Sequence, residues 1–115
     1  MQNGTSFLIR LLITALAILL TSYLLPGVHV ENFLSALILS LLLALLNVTI
    51  KPILVIITIP VTFLTLGLFL LVINALMILL ADVILPGFIV DGFWWALAFS
   101  IILWIINSLL RSLVR

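Results

Sequence analysis

This sequence has no cysteine, a single histidine, and only four basic and three acidic residues among 115. Without cysteine there is no disulfide, thiol nucleophile or thiolate metal ligand. Charged residues make up 6% of the chain, against roughly a quarter in soluble domains, so it cannot cover a water-facing surface. The net charge of +1 gives no sign of a nucleic-acid partner or of a polybasic lipid switch. The five glycines are scattered and build no phosphate cradle. No HExxH, nucleophile elbow, Walker loop, pair of carboxylates on one face or metal-ligand cluster is present. An enzyme is not expected, nor is a cofactor or a metal.

What remains is apolar. Hydrophobic residues make up 68% of the chain, and the mean hydropathy is +1.69. Long apolar runs make a lipid bilayer the expected solvent and first partner. The first run follows Arg10, yet no small-x-small cleavage site precedes Pro26, so it reads as a retained span rather than a signal peptide.

The apolar runs come in two similar sets. Leu25-Pro26-Gly27-Val28-His29-Val30-Glu31-Asn32-Phe33 returns as Leu85-Pro86-Gly87-Phe88-Ile89-Val90-Asp91-Gly92-Phe93, 60 positions later. Ala36, Leu37, Ser40 and Asn47 recur as Ala96, Leu97, Ser100 and Asn107. Ala15, Leu16, Ile18, Leu19 and Leu20 recur as Ala75, Leu76, Ile78, Leu79 and Leu80. Each copy reads as an apolar run, a Pro-Gly loop, an acid and a second apolar run. The expected fold is therefore an all-α polytopic membrane protein of about four transmembrane helices, arranged as two parallel-repeat helical hairpins. It forms a single membrane domain over 1–115, with the repeat at 11–47 and 71–107 and an insertion at 51–65.

In order, Met1 to Ser6 is a polar tail, and Phe7 to Leu25 is the first span, about 28 Å long as a helix. Pro26-Gly27 makes a tight turn, with proline setting φ and glycine accepting φ > 0. Phe33 to Ile50 is the second span, ended by Lys51-Pro52, where the lysine head can snorkel. Residues 53–65 are either a short, partly dipping helix that breaks at Pro60 or the start of a long kinked third helix; the repeat favours the first. Leu66 to Leu85 is the third span and Phe93 to Leu110 the fourth.

On this layout Arg10, Lys51, Arg111 and Arg115 fall on one side, and Glu31, Asp82, Asp91 and His29 on the other. Both termini are then expected in the cytoplasm. Tyr23, Trp94 and Trp95 mark the opposite boundary, and the hairpins are related by a pseudo-twofold along the membrane normal.

The strongest polar pattern is a stripe of Phe33, Ala36, Ser40, Ala44 and Asn47 at helical spacing, repeated as Phe93, Ala96, Ser100, Trp104 and Asn107. It reads first as a packing seam between hairpins or protomers, and second as the polar face of an oligomeric pore. Trp104 would fill a pore within one copy. Asn74, mid-span, calls for a partner such as Asn47 or Asn107. Asp82 is the deepest acid, either a functional carboxylate or a hydrated interfacial charge, with His29 across the loop as a partner. Asp91 reads as the N-cap of the last helix, with Glu31-Asn32 doing the same for the second. Val28–Val30 and Phe88–Val90 are short β-favouring pieces that could pair.

Ile50-Lys51-Pro52-Ile53-Leu54, Thr58-Ile59-Pro60-Val61-Thr62, Leu64-Thr65-Leu66-Gly67-Leu68-Phe69 and Val72-Ile73-Asn74-Ala75 together resemble the signature of the YvlD-like bacterial membrane proteins, grouped with the four-span phage holin superfamily IV. Pro86-Gly87-Phe88 and Val90-Asp91-Gly92-Phe93 fit it as well. The resemblance spans nearly the whole chain. It implies a small bacterial inner-membrane protein with about four spans, and it brings no catalytic or binding residues. The expectation is a holin-like protein, homo-oligomeric and pore-associated, with both ends cytoplasmic. The alternatives are a structural or accessory envelope protein without transport activity, and a small transporter using Asp82 and His29.

Overall fold

A computed structural model describes residues 4–114, with side chains for 6–113. Helix α1 runs Gly4–Leu24, strand β1 Val28–Val30, helix α2 Phe33–Ile57, helix α3 Ile59–Leu64, helix α4 Phe69–Ile84, strand β2 Phe88–Val90 and helix α5 Phe93–Val114. The tail expected over Met1–Ser6 is already helical from Gly4, and Arg115 lies outside the described residues. Three helices are long and apolar enough to cross a membrane, and α4 is a shorter apolar fourth. Four membrane helices therefore make up the body of the protein.

Helix α1 packs on α2 and α5, and α4 packs on α5 and α2. Among the described residues the backbones of the diagonal pairs, α1 with α4 and α2 with α5, do not approach each other closely. Small residues set these approaches. Ala15, Ala36, Ala75, Ala81 and Ala96 are all fully buried, which lets helix backbones come close without a hydrophobic driving force. Large apolar side chains cover most of the outside, as hydrocarbon surroundings permit.

Each hairpin turns at its Pro-Gly pair. Leu25 and Leu85 precede proline and leave the helical region; then Val28 N–H donates to Leu25 C=O at 3.1 Å, and Phe88 N–H to Leu85 C=O at 3.4 Å. Neither Gly27 nor Gly87 adopts the positive φ expected of it; the glycines that do are Gly67 and Gly92. Gly27 is required for space instead, because a Cβ there would collide with the indole of Trp95.

The two short strands form an antiparallel ribbon, with Val28 opposite Val90, His29 opposite Ile89 and Val30 opposite Phe88. Glu31 N–H donates to Gly87 C=O at 3.0 Å and Asp91 N–H to Gly27 C=O at 2.8 Å. A twofold axis through the His29–Ile89 pair exchanges these two bonds. Below the ribbon the fully buried rings of Phe88 and Phe99 meet at 5.5 Å.

The segment between the hairpins departs from expectation. Helix α2 does not stop at Lys51-Pro52 but continues to Ile57, with Pro52 inside it. A proline forfeits one backbone bond; unwinding in lipid would orphan several. The break comes at Thr58, and Pro60 opens α3 rather than breaking it, as proline does in a first turn. Helix α3 ends in a Schellman pair: Leu66 N–H donates to Phe63 C=O at 3.2 Å and Gly67 N–H to Thr62 C=O at 2.8 Å. Leu66 at φ 58° and Gly67 at φ 90° turn the chain. The third membrane helix therefore starts at Phe69, not Leu66, and its 16 residues reach only about 24 Å.

Candidate functional site

The bundle has a ribbon end and a basic end. At the ribbon end, Asn32 caps α2, its side chain accepting from Ser35 N–H at 2.9 Å. In the equivalent place on α5, Gly92 begins the helix, its carbonyl accepting from Ala96 N–H at 3.0 Å. Asp91 is not the N-cap expected of it; it stands one residue too early. Asp82 and His29 are not brought together. Asp82 Oδ2 accepts from Val90 N–H at 3.3 Å, while His29 is exposed on the ribbon. The antiparallel register points the Val90 N–H away from β1, so this carboxylate takes up a donor that the ladder leaves over. Sixty positions earlier stands Ser22, which donates to its own helix at Leu19 C=O.

Toward the basic end the four helices part around a cavity of about 480 Å³. Ser40, Asn47, Asn74, Ser100 and Asn107 all line it, together with Thr14. Every membrane helix contributes to this wall. The serines satisfy themselves: Ser40 Oγ donates to Leu37 C=O at 2.7 Å and Ser100 Oγ to Leu97 C=O at 2.9 Å. They are small, locally bonded residues rather than bridges between helices. An interhelical bond crosses the cavity wall, from Thr14 Oγ1 to Asn107 Oδ1 at 3.4 Å. Asn74 finds neither Asn47 nor Asn107. Among the described residues the side-chain amides of Asn47 and Asn74 have no hydrogen-bond partner within the chain.

Three further residues line the same cavity: Arg10 of α1, Lys51 of α2 and Arg111 of α5, which the charge pattern places on one side of the membrane without bringing them to one site. Lys51 and Arg111 each lie about 27 Å down their helices from Phe33 and Phe93, so they share a level. They also stand 60 positions apart, a spacing that could have paired them. Trp104 does not fill the space. It is 71% exposed and sits on the rim with Leu45 and Val48, so the cavity opens toward the outside of the bundle.

The arrangement offers amide groups and positive charge to a guest at membrane depth, and among the described residues no carboxylate lines it. Among the described residues no group of three or more His, Asp or Glu could hold a metal ion.

Comparison with known proteins agrees with the helix layout. Residues 5–109 match the family model of the mycobacterial 4 TMS phage holin, superfamily IV. The chain is 39% identical over 105 residues to the uncharacterised membrane protein YvlD of Bacillus subtilis, covering 90% of this chain and 88% of that protein. It is 38% identical over 119 residues to an uncharacterised protein of Streptomyces coelicolor, covering 91% of this chain and 95% of the relative. No solved structure matches it.

Proposed function

This chain belongs to the four-span phage holin superfamily IV, and on that footing we propose that it is a holin-like, non-enzymatic protein that oligomerises in the bacterial cytoplasmic membrane to form a polar path. The observation carrying this reading is the cavity: six uncharged polar side chains face it from four apolar helices, where lipid alone would select none. A single copy is closed at the ribbon end by Phe88 and Phe99. A continuous passage therefore calls for several copies. Arg10, Lys51 and Arg111 share one end, which the positive-inside preference assigns to the cytoplasm together with both ends of the chain.

Dye release from vesicles tests the proposal. Release should rise more steeply than in proportion to protein, because assembly precedes opening. Vesicles that stay tight at high protein load would overturn it. The closed ribbon end also supports a second reading, an accessory envelope protein without transport activity. A stable partner co-purifying with a non-conducting protein would favour that one.

A further inference from the structure

We propose that the cavity is a binding site for the phosphate headgroup of an anionic lipid, held between Arg10, Lys51 and Arg111, with the acyl chains leaving over an apolar rim. Positive charge at the cytoplasmic boundary is commonplace, but here it is concave. Three helices each send one cation into a single hollow. The side-chain carboxylates stand at the ribbon end, where Asp82 meets Val90 and the backbones of Glu31 and Asp91 pin the loops. Nothing among the described residues neutralises the three cations.

The guest's chemistry follows from the lining. Arginine forks grip phosphate oxygens in pairs, and lysine adds a point charge. Deeper in, the Asn47 and Asn74 amides are without partners in the chain and can meet phosphate-ester or glycerol oxygens. Leu45, Val48 and Trp104, at 53%, 71% and 71% exposure, form the rim. They present hydrocarbon and an indole at the depth where acyl chains run, which suits an amphiphile better than a soluble anion. The volume of about 480 Å³ lies within the range of roughly 300–1,000 Å³ usual for small-molecule sites. Lys51 and Arg111 occupy equivalent places in the two halves, so a phosphate between them sees matched charge from either side. Arg10 has no such counterpart, since Leu70 stands 60 positions on.

The test is lipid retention by the full-length protein in neutral detergent, read by native mass spectrometry. Leakage is not the readout, so the outcome is independent of pore formation. Supplied with equal phosphatidylglycerol and phosphatidylcholine, the protein should keep one phosphatidylglycerol per chain and no phosphatidylcholine. Arg10→Gln, Lys51→Gln and Arg111→Gln should each weaken retention about fivefold, and Lys51→Arg should preserve it. Asn74→Leu, which leaves the charge untouched, should weaken it as well. Equal retention of both lipids would overturn the proposal. So would loss in the glutamine variants with full retention in Asn74→Leu, which would mean diffuse attraction outside the cavity. Release of the lipid by millimolar inorganic phosphate would identify a soluble anion as the occupant and overturn the lipid assignment. Should a glutamine variant fail to fold, the two-lipid comparison and the phosphate competition on the unaltered protein still decide.

Discussion

Gly27 lies against the ring of Trp95 so closely that one added methyl group would occupy the indole. The equivalent contact in the other half is Gly87 against Ser35 and Glu31. The two glycines thus serve the same purpose, bringing a loop down onto the first turn of a neighbouring helix, but their neighbours differ in how far they can give.

Gly27→Ala should destabilise the protein by about 2 kcal/mol, since overpacking against a rigid ring forces backbone or rotamer shifts. Gly87→Ala should cost less than half of that, because a serine hydroxyl and a glutamate tip can swing aside. Unfolding of both variants in mixed micelles, followed by circular dichroism, would rank them. Equal losses would refute the assignment of Gly27 to the Trp95 contact.

Leu66 holds φ 58° at the C-terminus of α3 and is 93% exposed. A β-carbon in this conformation costs about 1–2 kcal/mol. Leu66→Gly should therefore stabilise the protein by about 1 kcal/mol, whereas Gly67→Ala, at φ 90°, should destabilise it by a similar amount. The same unfolding assay reads both signs.

Thr14 and Asn107 make a side-chain bond between two membrane helices that line the cavity, at a long 3.4 Å. A double-mutant cycle with Thr14→Val and Asn107→Leu should return a coupling of about 0.6 kcal/mol or less, the average for such bonds in lipid. A coupling of several kcal/mol would mean that this bond, rather than apolar packing, holds α1 to α5.

Asp82 accepts the Val90 amide, so acceptor chemistry is what its place in the ribbon end uses. Asp82→Asn should retain stability within about 0.5 kcal/mol, and Asp82→Leu should lose about 1–2 kcal/mol by orphaning a partly buried N–H. A dye-release activity equal to that of the parent in Asp82→Asn would remove the His29–Asp82 relay from consideration.

Much of this architecture was legible in the chain. Four apolar runs, the first and third of them stopped at Pro26 and Pro86, announce the membrane helices, because a proline after an apolar run ends a helix wherever the backbone can be satisfied in a turn. Pro52 looked the same on paper and behaved differently. No turn follows it before Thr58, and a proline inside a helix forfeits only one backbone bond, so the helix carries on past it. Pro60 was misread for a related reason: its meaning depends on whether Thr58 has already broken the helix. The Leu64-Thr65-Leu66-Gly67 run was recognised as a family signature, but its physical content, a helix cap with leucine in a left-handed conformation, emerges only from backbone angles. Ser40, Asn47, Ser100 and Asn107 were visible as stripes because helical spacing is readable along one helix. That Arg10, Lys51 and Arg111 share a hollow was not, since convergence of three helices leaves no local pattern and a net charge of +1 averages the cluster away.

The ribbon has a mechanical consequence. Because paired backbone bonds cross-link Gly27 to Asp91 and Glu31 to Gly87, the hairpins cannot slide past one another at that end. Separating the halves at that end would have to break both bonds, so the ribbon acts as a clasp. At the level of Lys51 and Arg111 no such ribbon spans the halves among the described residues, and the link there is α3 between α2 and α4.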